Sequence, residues 1–311
     1  MPSLSKCIPK IGVIGGHIHS KKAKNNMFVD NHQLVFEYRN QPLALNIVDS
    51  SFVFKRLDGD NRVNILASGP SIDQMDMTKI SEQPAIFVNG SLILTETYTF
   101  LQPVGYVITD PRFIKHNLSL ILKNYTGFCP LYISDLVAEQ LLADAPAFLA
   151  TYHAHIFVIF PIKRPVLYRP IDTKSLGFFK KIATKLYQRP RLKHFKNSPY
   201  HTIHKKIGVS FDIRHGFVEG GTVAYVALQL AYTLGFKDIH LYGIDLLNSS
   251  TPRFYETAQN AAPSKLDQAI SNRIVPSFEL ASQQYQKHGG RIINHSFVSK
   301  DLFKSIVYQP A

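Results

Sequence analysis

The clearest period along the chain lies between Gly216 and Asp245, GFVEGGTVAYVALQLAYTLGFKDIHLYGID. Val223, Val226, Ala227, Leu230 and Leu234 recur at intervals of three and four, which predicts a helix from Thr222 to Leu234 with an apolar stripe suited to covering a sheet. Gly235 caps it, and Ile239, Leu241 and Ile244 follow as a short strand whose carboxyl end carries Asp245. Upstream, NRVNILASGPS (61–71) reads as a buried strand running into a Gly-Pro turn, AIFVNGS (85–91) as a strand ending in Asn89, and YVITDPRF (106–113) as one ending in Asp110. FIKHNLSLILKN, CPLYIS, DLVAEQLLADA and HIFVIFP continue the alternation to about Phe160, and IVPSFELASQQYQKH followed by RIINHS closes it. Alternation of this kind predicts an α/β fold with a mainly parallel, Rossmann-like sheet whose ligands gather at the carboxyl edge. Before it, IGVIGG, QLVFEY, LALNIV and FVFKRL predict four short strands, a β-rich extension over residues 1–60.

Between Lys163 and Lys206 the pattern changes to Pro, Tyr, Phe and basic residues. Leu176, Phe179, Ile182, Ala183 and Leu186 keep helical spacing, with Lys180, Lys181, Lys185 and Arg189 mostly on the other face. That is the pattern of an amphipathic helix lying in a membrane surface, and equally of a surface helix packed on the core with a solvated basic face. Charge favours the first. The chain has 35 Lys and Arg against 22 Asp and Glu, and residues 163–214 hold fourteen of the cations with only Asp172 and Asp212 opposing them. An anionic partner is expected, and the segment is read as a basic lid or membrane contact between a nucleotide-binding half (61–162) and a second α/β half (215–311). No apolar run reaches the length needed to cross a bilayer, and the start of the chain has no signal-peptide cleavage pattern, so a soluble or peripheral protein is expected. Cys7 and Cys129 fit free thiols in a reducing cytosol.

The candidate chemistry sits at the predicted strand ends. Backbone N–H groups at the SGPS turn, with the hydroxyls of Ser68 and Ser71, can hold a phosphate, as can the glycine turn Gly220–Gly221 at the start of the long helix. Gly69, Asn89 and Asp245 complete a pocket for a nucleotide-bearing ligand. The loop after Asp245 carries Arg253, Tyr255 and Glu256, residues able to bind a carboxylate and transfer a proton. Asp110, Glu256, His215 and Glu219 are the titratable residues expected nearest the crevice; Asp110 and Glu256 are preferred as general base, although Asp110 could serve only as a helix cap. His17 and His19 lack a third ligand at a fitting spacing and are read as loop histidines; DGD at 58–60 is read as a turn, so no metal site is expected.

Taken together, SGPS, FVNGS, YVITDPRF, GID and PRFYE resemble the WaaZ-type transferases of bacterial lipopolysaccharide core, which add 3-deoxy-manno-octulosonic acid (Kdo). The resemblance spans residues 61–282 and is most specific in VNGS…YVITDPRF and YTLGFKDIHLYGIDL…PRFYE…PSKL, where order and spacing carry it. More distantly the chain is similar to the small bacterial sialyltransferases, whose donor is CMP-sialic acid. The two likenesses imply a GT-A-like variant of the Rossmann-like sheet and a CMP-activated ulosonic acid as donor, with no further cofactor. They also imply a lipopolysaccharide or lipid A-Kdo acceptor and a cytoplasmic place on the inner membrane. The sialyltransferases carry a His before their last helix where this chain has Ser271, Asn272 and Arg273, and Asp110 stands where they have Asn. Their base therefore does not transfer. The alternatives are a CMP-sialic-acid-dependent sialyltransferase, a pterin pyrophosphokinase-like enzyme, which needs carboxylates for a metal-bound triphosphate, and an RNA-binding protein, for which no module signature is present.

Overall fold

The structure is a computed structural model that describes residues 27–54, 61–163, 192–247, 253–256 and 269–311. Strands β4 (Arg62–Leu66), β5 (Pro84–Val88), β6 (Gln102–Ile108), β7 (Leu131–Ser134) and β8 (Ile156–Ile159) are parallel neighbours in that order. On the other side of β4 the sheet continues, again parallel, through β11 (Asp238–Tyr242), β12 (Arg291–Asn294) and β13 (Val307–Tyr308). The direction in which successive strands are added therefore reverses between β4 and β11, the topological switch at which open α/β sheets hold their ligands.

β5 and β7 are buried at every residue, as expected of parallel strands covered on both faces. One face (Leu66, Phe87, Tyr106, Ile108, Ile133, Val158) is covered by helices α1 (Met77–Ser81), α2 (Pro111–Asn124), α3 (Asp135–Asp144) and α4 (Pro146–Tyr152). The other (Val63, Ile65, Ile86, Val107, Ile239, Leu241) is covered by α5 (Val223–Thr233) and α6 (Val275–Lys287). The mainly parallel α/β sheet is thus present, in three layers.

The strands read in the N-terminal stretch join this sheet. β1 (Phe28–Asp30), β2 (Gln33–Tyr38) and β3 (Gln41–Ile47) form an antiparallel meander whose last strand pairs parallel with β8 through Asn46 and Ile47. IGVIGG lies outside the described residues. The strand expected over FVFKRL is absent at Phe52–Phe54; alternation there places rings, not a ladder, with Phe52 edge-on to Phe54 at 4.9 Å and to Phe157 at 5.4 Å.

The long helix also differs from its predicted pattern. Instead of one apolar stripe, all nine residues from Val223 to Ala231 are buried. The reason is that its outer side is covered too, by α6, with Tyr225 on Phe278 and Tyr232 stacked on Tyr285, and by a hairpin within the basic segment, β9 (His201–His204) and β10 (Ile207–Ser210), whose Gly208 carbonyl meets Tyr225. The amphipathic helix read at Leu176–Leu186 lies outside the described residues.

Gln229 is what joins hairpin to helix. Its side chain is fully buried; Oε1 accepts from the backbone N–H of Ser210 and of Val218, and Nε2 donates to the carbonyls of Val218 and Tyr225, all at 2.9 Å. Every hydrogen-bonding position that a core amide needs filled is filled. Tyr225, also buried, donates its hydroxyl to the Gly208 carbonyl at 2.8 Å. Gln229→Leu keeps the volume but orphans two backbone N–H groups and a carbonyl, and is expected to lower the unfolding free energy by roughly 2–4 kcal/mol. Urea denaturation measures this; a loss below about 0.5 kcal/mol would show that water replaces the amide.

Candidate functional site

Backbone pairing between β4 and β11 continues past both strands. Ala67 N–H donates to the Tyr242 carbonyl and Gly69 N–H to the Gly243 carbonyl, each at 2.9 Å. The SGPS turn and the GID strand end are thereby held side by side, and Asp245 closes the join. Its carboxylate accepts from the backbone N–H and from the hydroxyl of Ser71, both at 2.6 Å, and the residue is buried. Gly69 is required here because a Cβ would stand 2.5 Å from the Asp245 carboxylate and 2.6 Å from the Gly243 carbonyl. From the far side, Ser296 Oγ accepts from Ile244 N–H at 2.6 Å, and the Ser299 hydroxyl accepts from Leu246 N–H at 3.0 Å while donating to the Ile244 carbonyl. Neither serine stands out in the sequence, because short hydroxyls declare a partner only once the fold brings one.

At the end of β5, Asn89 adopts a left-handed φ of 50°, and its carbonyl accepts from the Tyr106 hydroxyl at 2.8 Å. Ser91 Oγ accepts from Val88 N–H, turning the chain sharply. Gly90 follows for a spatial reason: an added Cβ would lie 1.8 Å from the ring of Tyr255. Residues 253–256 therefore lie over NGS, with Arg253 and Glu256 at the strand ends. Glu256 is nearly buried, accepting from the Arg253 guanidinium at 2.6 Å and from its backbone N–H at 3.1 Å. Beside the Tyr255 hydroxyl stand Ser68 and Arg253, and burial pushes its pKa up to about 12.

Asp110 ends β6 and caps α2, accepting from Arg112 N–H at 2.9 Å, while the Arg112 guanidinium grips both carboxylate oxygens. Partial burial pushes its pKa up, but the hydrogen bonds from Arg112, with the Arg112 and Arg253 charges, outweigh this and hold it below the usual carboxylate range. Its side chain stays about one-third exposed, unlike that of Glu256.

Gly220 and Gly221 lie where α5 begins. The helix crosses β4–β6 and feeds β11 at Asp238, level with the first residue of β4, so its N terminus faces the carboxyl edge. The two glycines also serve packing: a Cβ on Gly220 would lie 2.2 Å from the Tyr225 ring, and Gly221 has a φ of 94° against Ile274. Around this turn the Arg273 guanidinium donates to the Glu219 carbonyl at 2.9 Å, and half-burial lowers the Lys163 pKa, with the Glu219 charge opposing and the Arg273 charge assisting the shift. Arg273 belongs to a π-helical turn, Ile270–Ile274, that leads into α6. His215 is not brought to the site. It stacks on Tyr200 at 3.5 Å and lies near Asp212 and the end of β3, which the sheet order puts three strands from β6 and five from β4, roughly 14 to 24 Å away. Among the described residues no three His, Cys, Asp or Glu side chains gather as a metal site, and no helix is long and apolar enough to cross a membrane.

One clamp thus unites Ser68, Gly69, Ser71 and Asp245; the end of β5 adds Asn89, and residues 253–256 add Arg253, Tyr255 and Glu256, with Asp110 electrostatically coupled to Arg253. The family described as 3-deoxy-D-manno-octulosonic acid transferase WaaZ matches residues 49–289, a span that contains every one of these side chains. The chain belongs to this family. Two curated relatives bear the name "Probable 3-deoxy-manno-octulosonic acid transferase": one from Salmonella typhimurium, 28% identical over 69% of this chain and 74% of that protein, and one from Escherichia coli K12, 24% identical over 70% and 71%. Among solved structures the chain is similar to the MAf glycosyltransferase of Magnetospirillum magneticum AMB-1 (TM-score 0.46, 14% identity, 98% of this chain) and spans 40% of that protein's length. It is also similar to the monofunctional alpha-2,3-sialyltransferase Cst-I of Campylobacter jejuni (TM-score 0.37, 14% identity, 83% and 85% of the two chains). The WaaZ-type resemblance read from the motifs is therefore correct.

What the motif reading missed is the reason for NGS and PRFYE to occur together: Gly90 is the seat of Tyr255. Gly90→Ala is expected to destabilise this WaaZ-family chain by about 1–3 kcal/mol, and to cost much less in a Tyr255→Ala background, where the clashing ring is gone. Equal costs in the two backgrounds, measured by denaturant unfolding, would refute the contact.

Proposed function

We propose that the protein transfers an ulosonic acid, Kdo, from its CMP-activated form to a hydroxyl of a lipopolysaccharide inner-core or lipid A-Kdo acceptor. The observation that carries this reading is the family match together with the gathering of its span's polar residues at the sheet's switch point. A GT-A-like nucleotide site there would place the donor against Ser68, Gly69, Ser71, Asn89, Gly220, Gly221 and Asp245. Asp245 and Ser71 act on each other and so shape the turn; Ser68, Asn89 and the backbone N–H groups before α5 remain to meet the ligand.

In the reaction the bond between the ulosonic anomeric carbon and the phosphate oxygen breaks, its electron pair leaving with CMP, and the acceptor oxygen bonds to the oxocarbenium-like carbon. Arg253, oriented by Glu256, pairs with the ulosonic carboxylate. Between the two preferred bases, Asp110 suits the role better: both are paired with an Arg, but the Asp110 side chain is about one-third exposed whereas that of Glu256 is buried. Asp110 takes the acceptor hydroxyl's proton. Asp110→Asn should lower kcat by about 10²–10⁴-fold with CMP affinity nearly unchanged. Because Arg112 depresses the Asp110 pKa, the acid limb of kcat/KM should lie below the ordinary carboxylate range. Below that limb the base is protonated and activity falls. Arg112→Ala should move the limb to higher pH; a limb that stays put would remove Asp110 from the role.

The leaving group bears one phosphate, which amides, hydroxyls and an Arg can neutralise, so activity is expected to survive excess EDTA. Loss on chelation with recovery on magnesium would overturn this and favour the pyrophosphokinase reading. Binding of CMP in preference to ATP and RNA tests the nucleotide class directly.

A lipid-linked acceptor places the protein on the cytoplasmic face of the inner membrane, held there by residues 163–206. Each Lys or Arg near an anionic surface contributes on the order of 1 kcal/mol. Replacing Lys180, Lys181 and Lys185 with Glu should release the protein from anionic liposomes and slow transfer to lipid-linked acceptor, leaving CMP binding unchanged. Liposome binding equal to wild type would rule out the membrane role, and a fall in CMP affinity would instead place the segment over the donor.

A further inference from the structure

Two polar groups at the strand ends are buried without a hydrogen bond of good geometry: the Oδ1 of Asn89, and the hydroxyl of Tyr255, which has Ser68 and the donor-only Arg253 guanidinium close beside it. Their surroundings are otherwise well satisfied, since Asp245, Ser71, Ser91, Ser296 and Ser299 all have partners. The Asn89 backbone is held in its left-handed turn with the Tyr106 hydroxyl on its carbonyl, and the Tyr255 ring sits in the space that Gly90 leaves open. Unmet hydrogen-bonding capacity in a buried position beside a switch point points to a ligand.

The chemistry of the pair narrows that ligand. An amide oxygen only accepts, so the Asn89 Oδ1 is met by an O–H or N–H, which an ionised phosphate or carboxylate does not offer. The Tyr255 phenol, like any tyrosine hydroxyl, carries its proton at neutral pH, and burial only strengthens this; it is therefore able to donate. A sugar ring presents both complements, hydroxyls that donate and oxygens that accept.

We propose that Asn89 and Tyr255 form a subsite for sugar-ring hydroxyls, Asn89 Oδ1 accepting from the ring and the Tyr255 hydroxyl donating to it. This rests on the glycosyl-transfer reading above and assigns Tyr255 a role in holding substrate. The hydroxyls belong either to the ribose of the nucleotide or to the transferred ulosonic ring.

Tyr255→Phe removes only the hydroxyl and keeps the ring on Gly90, while Asn89→Gly removes the amide and tolerates the positive φ. Calorimetric titration with CMP, 2′-deoxy-CMP and CMP-Kdo, on wild type and both variants, separates the sources. If the ribose is read, Tyr255→Phe or Asn89→Gly weakens CMP about tenfold, and 2′-deoxy-CMP loses less on substitution than CMP does. Should the ulosonic ring be read, CMP binding is unchanged and only CMP-Kdo loses the factor. Both variants binding all three ligands like wild type would overturn the proposal. Failure of the wild type to bind any cytidine ligand overturns the donor reading instead. Free Kdo then tests the subsite, and equal affinity in wild type and Tyr255→Phe, or no binding by either, would overturn it.

Discussion

The two hydrogen bonds from Ser71 to the Asp245 carboxylate join residues 174 positions apart, and the site depends on them. Two strands that diverge in connectivity meet at β4 and β11, and a crevice opens there because their connections leave in opposite directions. Left to itself such a crevice would have a floppy rim. The carboxylate, accepting a charge-assisted bond from an N–H and another from a hydroxyl, sets the distance between the two rims. Gly69 and Gly243 let the backbones come close enough for this, Gly243 with a φ of 67° and room for no side chain, since an added Cβ would stand 3.0 Å from the Ala67 carbonyl oxygen.

Once that rim is set, the remaining polar residues fall into two kinds. Asp245, Ser71, Ser91, Ser296 and Ser299 bond to other parts of the protein and give shape. Asp110 and Arg253 are charged, partly open to water and electrostatically coupled, and Tyr255 with Asn89 brings buried but unspent hydrogen-bonding capacity. The first kind keeps the second in place. A similar division runs through the helix layer, where the buried amide of Gln229 fastens the β9–β10 hairpin to α5, a helix expected to bury one apolar stripe and in fact buried on its outer side as well.

Charge follows the same architecture. Within the described residues the cations near the crevice, Arg112, Arg253, Lys163 and Arg273, each lie beside an acidic or carbonyl oxygen or are coupled to one electrostatically, which orients them. The concentrated positive charge of the basic segment, by contrast, comes with few acids to answer it in sequence, and only its hairpin end is described.

Much of this fold was legible from residue order. Buried runs such as RVNIL, PAIFV and DIHLY have the length and apolar content of parallel strands, and each meets a turn residue within two positions, so the sheet and its polar strand ends follow from local patterning. The family was legible too, because order and spacing of SGPS, FVNGS, DPRF and GID survive in one dimension. What patterning could not supply is pairing across long separations. That Asp245 answers Ser71, that Tyr255 occupies the space of a missing Cβ on Gly90, that Gln229 needs Ser210 and Val218, and that His215 stands near β3 instead of β4 depend on which surfaces close packing brings together. Periodicity reports which side of an element is apolar; only the assembled layers decide what lies against it, and hydrogen bonds with a reach of about 3 Å form solely between groups that the assembly has already made neighbours.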